Sequence, residues 1–119
     1  MDLATQEREG DVLVVVARGD LNAGSCGRLE QELNARIDAG RRRLVLDLGE
    51  IRYVSSAGLR VLLLAARKIG KEGRFVLARP VEAVRGVLEM TGFLGIMKVE
   101  ADLDAAVAAA ADATAAGAA

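Results

Sequence analysis

The residues best placed to do chemistry in this chain are two adjacent serines, Ser55 and Ser56, followed by Ala57 and Gly58. They stand at the head of a segment in which Leu59, Leu62, Leu63, Ala66 and Ile69 recur at helical spacing. That periodicity predicts an amphipathic helix closed by Gly70. A hydroxyl at a helix start accepts a hydrogen bond from an amide two or three residues on. The same unpaired amides, with the positive end of the helix dipole, favour an added phosphate. Ser56 is therefore suited either to cap the helix or to carry a phosphate, with Ser55 as a competing acceptor. A second polar cluster, Gly19-Asp20-Leu21-Asn22, closes an earlier apolar run and offers a carboxylate and a carboxamide.

A serine nucleophile needs a base, and the chain has no His. It also lacks a Gly-x-Ser-x-Gly elbow, and no Lys lies close in sequence to the serines, so a small hydrolase or nucleotide-binding enzyme built on Ser55 and Ser56 is the weaker reading. Without imidazole, and with Cys26 as the sole cysteine, there is no material for a zinc site or an intrachain disulfide. The acids show no calcium-loop spacing, and no Walker or dinucleotide glycine loop is present. Neither a metal nor a cofactor is expected. Cys26 falls on the apolar face of a helix and reads as core filler. Arg41-Arg42-Arg43 reads as a solvated strand start, and Asp102 and Asp104 as first-turn acids.

The elements that must position these groups follow from the apolar pattern. Residues 11–18 are β-branched and apolar and predict a buried strand, with residues 2–9 folding back on it through a Gly10-Asp11 turn. Cys26, Leu29, Leu33 and Ile37 mark a helix that Asn22 or Ser25 can cap and Gly40 ends. Arg43 to Leu48 is a core strand with Leu44, Leu46 and Leu48 on one face and Val45 and Asp47 on the other. After the serine-headed helix come a strand over 75–78, a helix opened by Pro80 with Val81, Val84, Val87 and Leu88 inward, a strand over 96–99, and a helix capped by Asp102. Strands alternating with helices predict an α/β fold with a mostly parallel sheet.

At 119 residues the chain fits one domain. Sixteen Lys and Arg against seventeen Asp and Glu give a net charge of -1, which provides no general pull toward nucleic acid or an anionic membrane. Three aromatics and no Trp leave little for base stacking. The polar N-terminus does not read as a signal peptide, and no uncharged apolar run, Val61 to Ala66 among them, approaches a membrane span. A cytoplasmic protein is expected. Eleven of the last fifteen residues are Ala, so the domain is expected over 1–110, with 111–119 as a frayed tail.

The run Val45-Leu46-Asp47-Leu48, a short connection, and then Val54-Ser55-Ser56-Ala57-Gly58-Leu59 resembles the signature of the STAS domain, in particular of the single-domain anti-sigma factor antagonists. Gly19-Asp20-Leu21-Asn22 and Thr91-Gly92-Phe93-Leu94 are similar to two further elements of that family, and the match covers about residues 8–104 in order. The resemblance implies a STAS-type single domain, a mixed sheet of four or five strands with about four helices. It implies a partner-switching regulator that binds an anti-sigma factor with serine kinase activity and so releases a sigma factor. Phosphorylation ends that binding and a serine phosphatase restores it. By position the acceptor is Ser56, and Asp20, Asn22, Ser55, Ser56, Ala57 and Gly58 form the partner-binding set. Two positions depart from the family pattern: Ser55 stands where Asp is common, and Asn22 stands where Asp is common. Both remove a carboxylate near the acceptor. Some STAS domains serve instead as accessory subunits of phospholipid transporters or signalling scaffolds, which is the alternative reading.

Overall fold

A computed structural model describes residues 1–112. Five strands, β1 (Asp2–Arg8), β2 (Val12–Arg18), β3 (Arg43–Glu50), β4 (Arg74–Ala78) and β5 (Lys98–Glu100), form one sheet in sequential order. Among the described residues only the β1–β2 pair is antiparallel; the other three pairings are parallel. Among the described residues four α-helices, α1 (Cys26–Asp38), α2 (Ser56–Ile69), α3 (Glu82–Met90) and α4 (Leu103–Ala111), alternate with the strands, and a 3₁₀ turn (Phe93–Gly95) precedes β5. The expected α/β architecture with a mixed sheet is present.

The three central strands, β2, β3 and β4, split their side chains between two cores. Leu13, Val15 and Ala17 of β2, Leu44, Leu46 and Leu48 of β3, and Phe75 and Leu77 of β4 face α1, α2 and α3. Val12, Val14, Val16, Val45, Val76 and Ala78 face α4, which meets them with Ala106 and Ala110. A strand covered on both faces has no solvent side, which is why β2 reads as an unbroken apolar run. The alanine side chains let α4 lie close to the sheet; a Cβ placed on Gly10 would lie 2.6 Å from the Cβ of Ala111. The hairpin turn takes Gly10 and Asp11 at positive φ, 83° and 61°, as its tight geometry requires.

Several boundaries differ from the sequence expectation. β3 continues two residues past Leu48 to Glu50. Pro80 does not open α3: the helix starts at Glu82 with Val81 as its cap residue, so the proline lies just outside it. The expected strand over 96–99 is found at Lys98–Glu100, because the 3₁₀ turn consumes residues 93–95 and leaves Ile96 61% exposed. The buried stripe of α2 is Leu59, Val61, Leu62, Ala65 and Ile69. Leu63 and Ala66, expected inward, only pack against the core edge. Val84 and Leu88 of α3 are buried, whereas Val81 and Val87 are half-buried. The residues expected as a frayed tail lie, from 113 on, outside the described residues.

Candidate functional site

Two loops at the carboxyl ends of β2 and β3 bring the polar residues together. Past the last paired residues the chains remain stitched: the amides of Gly19 and Leu21 donate to the carbonyls of Glu50 and Tyr53, at 3.2 and 2.8 Å, and the Ser55 amide donates to the Leu21 carbonyl at 2.8 Å. Leu21 and Val54 form an isolated parallel bridge and both are buried. This extension seats the start of α2 on the loop that carries Asp20 and Asn22. Gly58 is needed there for space, since any side chain would run into Leu21.

The two serines are not equivalent. Ser55 is extended at φ -87°, ψ 171° and its hydroxyl accepts the Gly58 amide at 3.2 Å, so Ser55 caps α2. The cap role that the sequence left open for Ser56 therefore falls one residue earlier. Ser56 is the first helical residue, is exposed, and its hydroxyl has no hydrogen-bond partner among the described residues. A free hydroxyl at the amide-rich end of a helix is sterically open to an incoming phosphoryl group, and the resulting anion would sit where the helix dipole favours it. Ala57 is half-buried and Gly58 buried in the same first turn.

Asp20 is exposed and holds no ion pair among the described residues. The side-chain oxygen of Asn22 accepts the amides of Gly24 and Ser25 at 2.9 and 3.1 Å, closing the turn before α1. Ser25 precedes α1 without capping it; its hydroxyl instead donates to the Asp20 carbonyl at 2.6 Å. A carboxylate or carboxamide serves equally in the Asn22 turn. Cys26 is half-buried against the core, its thiol donating to the Ala23 carbonyl. The arginine run anchors neighbours: Arg41 makes a bidentate pair with Glu7 at 2.9 Å, Arg42 donates to the Ile37 carbonyl at the end of α1, and Arg43 donates to the Gly10 carbonyl. No group of His, Cys, Asp or Glu among the described residues could hold a metal ion.

Two arginines brace the ends of the strands beneath the site, and sequence reasoning singled out neither. Asp47 is 3% exposed. Arg79, in the left-handed region at φ 55°, donates to both its oxygens, at 3.0 and 2.9 Å. Its guanidinium passes directly over Gly49, whose amide donates to the same carboxylate at 2.9 Å. Arg18 donates to Glu50 at 2.6 Å. Hydrogen bonding to these carboxylates raises the pKa of each arginine further above its ordinary value. An acid inside an otherwise apolar strand is the one sequence signal that could have announced Asp47. Tyr53, 55% exposed between the buried Ile51 and Val54, was also missed. A lone aromatic in a polar connection was its signal.

The family model described as the STAS domain matches residues 3–106. The chain belongs to the STAS domain family. BtrV of Bordetella bronchiseptica, which carries the name of an anti-sigma factor antagonist, is 42% identical over 106 residues, 88% of this chain and 91% of the relative. The crystal structure of an anti-sigma factor antagonist from Mycobacterium paratuberculosis is 28% identical and superposes with a TM-score of 0.86 over 93% of this chain and 94% of that one. The Bacillus protein SpoIIAA, solved in its phosphorylated form, is 18% identical, with a TM-score of 0.69 over 89% of this chain and 96% of its own. At that identity the likeness is one of fold. In this STAS domain the backbone bonds between the two loops hold the start of α2 beside the loop of Asp20 and Asn22, and no helix of the described residues is long and apolar enough to cross a membrane.

Proposed function

We propose that this STAS domain is an anti-sigma factor antagonist switched by phosphorylation of Ser56. Unphosphorylated, it binds in the cytoplasm an anti-sigma factor that is also a serine kinase, and the sigma factor is released. The kinase moves the γ-phosphoryl group of ATP to the Ser56 oxygen, with loss of the hydroxyl proton and release of ADP. A serine phosphatase hydrolyses the ester and returns the hydroxyl. The protein itself supplies a surface and an acceptor, and no catalysis. The observation that carries this reading is the division of labour between the serines: Ser55 is engaged as the cap, while Ser56 is exposed and has no partner among the described residues in the first turn of α2. The family, and a relative of 42% identity that carries the antagonist name, support the choice of partner.

The phosphate need not unfold α2, because the helix start accommodates an anion. It acts at the interface, by bulk and by about -1.5 to -2 added charges. Affinity purification from the native host, with mass spectrometry of the bound protein and of Ser56, tests the reading. An anti-sigma factor with a kinase domain should co-purify with the unmodified protein and with Ser56→Ala. Purified Ser56-phosphoprotein should bind at least about tenfold more weakly, with an unchanged circular dichroism spectrum. Tight binding by the phosphoprotein, or capture of a permease and ATPase instead, overturns the partner-switch reading.

A further inference from the structure

Charge is distributed unevenly along this chain. Residues 51–71 hold five of the sixteen Lys and Arg residues and none of the seventeen acids, so the remainder carries -6. On α2 the segregation becomes a surface. At 3.6 residues per turn, Ser56, Arg60, Leu64 and Arg67 fall within an arc of about 80° and span about 16 Å of helix. Arg60 and Arg67 are exposed, Leu64 is 37% exposed, and Tyr53 lies 55% exposed in the loop leading to the helix. Neither arginine holds an ion pair among the described residues, in contrast to Lys68 beside them, which pairs with Asp38 of α1 at 2.8 Å.

We infer that this ridge, Arg60–Leu64–Arg67 with Tyr53 before it, is the docking surface for an acidic patch on the anti-sigma factor. The inference rests on the function proposed above and adds the chemistry of the partner. Arginine and tyrosine are the residue types that dominate binding energy at protein interfaces, and Leu64 supplies an apolar centre between the two charges. A compact acidic protein patch fits the ridge better than a nucleic acid or a lipid surface, because an extended polyanion would run on over the remainder of the chain, which is negative. The location also explains how a single phosphate can act. Ser56 and Arg60 are neighbours at i,i+4. A phosphate on Ser56 would pair with Arg60, withdraw that cation from the partner, and set its own charge against the partner's carboxylates.

The test uses the purified anti-sigma factor that co-purifies with the protein. Arg60→Glu with Arg67→Glu should raise its dissociation constant at least about tenfold, with the melting temperature unchanged. Arg60→Gln with Arg67→Gln should have a smaller effect in the same direction. Arg85→Glu, the same single substitution on α3, should change the constant less than about twofold. Wild-type affinity should fall between about 0.1 and 1 M salt, as the screening length drops from about 10 to 3 Å. Unchanged affinity in the double variants, with the complex intact, overturns the acidic-patch inference and leaves the proposed function standing. Tighter ridge-dependent binding of a DNA duplex or a phosphatidylserine vesicle also overturns it. If no anti-sigma factor binds at all, both fall.

Discussion

Gly58 and Leu21 pack with no room for a side chain between them: a Cβ on Gly58 would lie 2.7 Å from Leu21 Cγ and 2.9 Å from the Leu21 carbonyl oxygen. That contact locks the first turn of α2 onto the loop from β2, and the Leu21 carbonyl is also the acceptor for the Ser55 amide. Gly58→Ala should push the two loops apart, destabilise the domain by about 1–3 kcal/mol, and weaken partner binding beyond what the stability loss explains. Denaturant titration and binding calorimetry on the same preparation check both effects. A variant with wild-type affinity would separate the loop contact from the site.

The two serines should separate in experiment. Ser55→Ala removes the α2 cap and should cost about 0.5–2 kcal/mol, yet leave a phosphorylatable protein. Ser56→Ala should leave the melting temperature within experimental error and abolish phosphorylation. Phosphopeptide mapping after incubation with the kinase decides between the residues, and exclusive modification of Ser55 would reverse the assignment.

Asp47 accepts three hydrogen bonds, two from Arg79 and one from the Gly49 amide. Asp47→Ala should destabilise the domain by about 1–3 kcal/mol, the cost of leaving buried polar groups unpaired. The side chain of Arg79 is 44% exposed and can turn to water, which keeps the effect from the upper range of fully buried pairs. Thermal unfolding of Asp47→Ala and Arg79→Met should show the larger loss for Arg79→Met, because that change leaves the buried Asp47 carboxylate without its cation, whereas Asp47→Ala leaves an arginine that can turn to water.

Leu62 is fully buried on the helix that carries the serines, while Leu63 lies at the core edge. Leu62→Ala should cost about 2–5 kcal/mol, and Leu63→Ala clearly less. Equal losses in urea titration would mean that the stripe of α2 is oriented differently from the one described.

Glu7 has its pKa lowered, chiefly by the hydrogen bond from Arg41. A carboxylate whose folded pKa lies below its unfolded value stabilises the fold above the unfolded pKa and loses that contribution as pH falls through the folded one. The contact should therefore be fully present at neutral pH and disappear below about pH 4.5. The melting temperatures of wild type and Glu7→Gln should differ modestly at pH 7 and converge in acid, once the pH has fallen through the lowered folded-state pKa. A gap that persists in acid would assign the effect of Glu7 to packing.

The amino-acid sequence by itself determined the elements and their sides. The alternation of Leu44, Leu46 and Leu48 against Val45 and Asp47 set the two faces of β3, and the continuous apolar run of β2 announced a strand covered on both sides. The serine pair before an amphipathic helix was equally legible, because capping and helical periodicity act over a few residues. The tertiary structure decided what depends on distant partners. Ser55 rather than Ser56 caps α2 because the Leu21–Val54 bridge holds the chain extended through Ser55. The stripe of α2 turns toward Val61 and Ala65, a choice between apolar residues made by the surfaces packed against the helix. β5 begins later than its apolar residues suggest because a 3₁₀ turn intervenes. The Asp47–Arg79 clamp joins residues 32 apart; no local pattern encodes it, since its geometry exists only once β3 and β4 have paired.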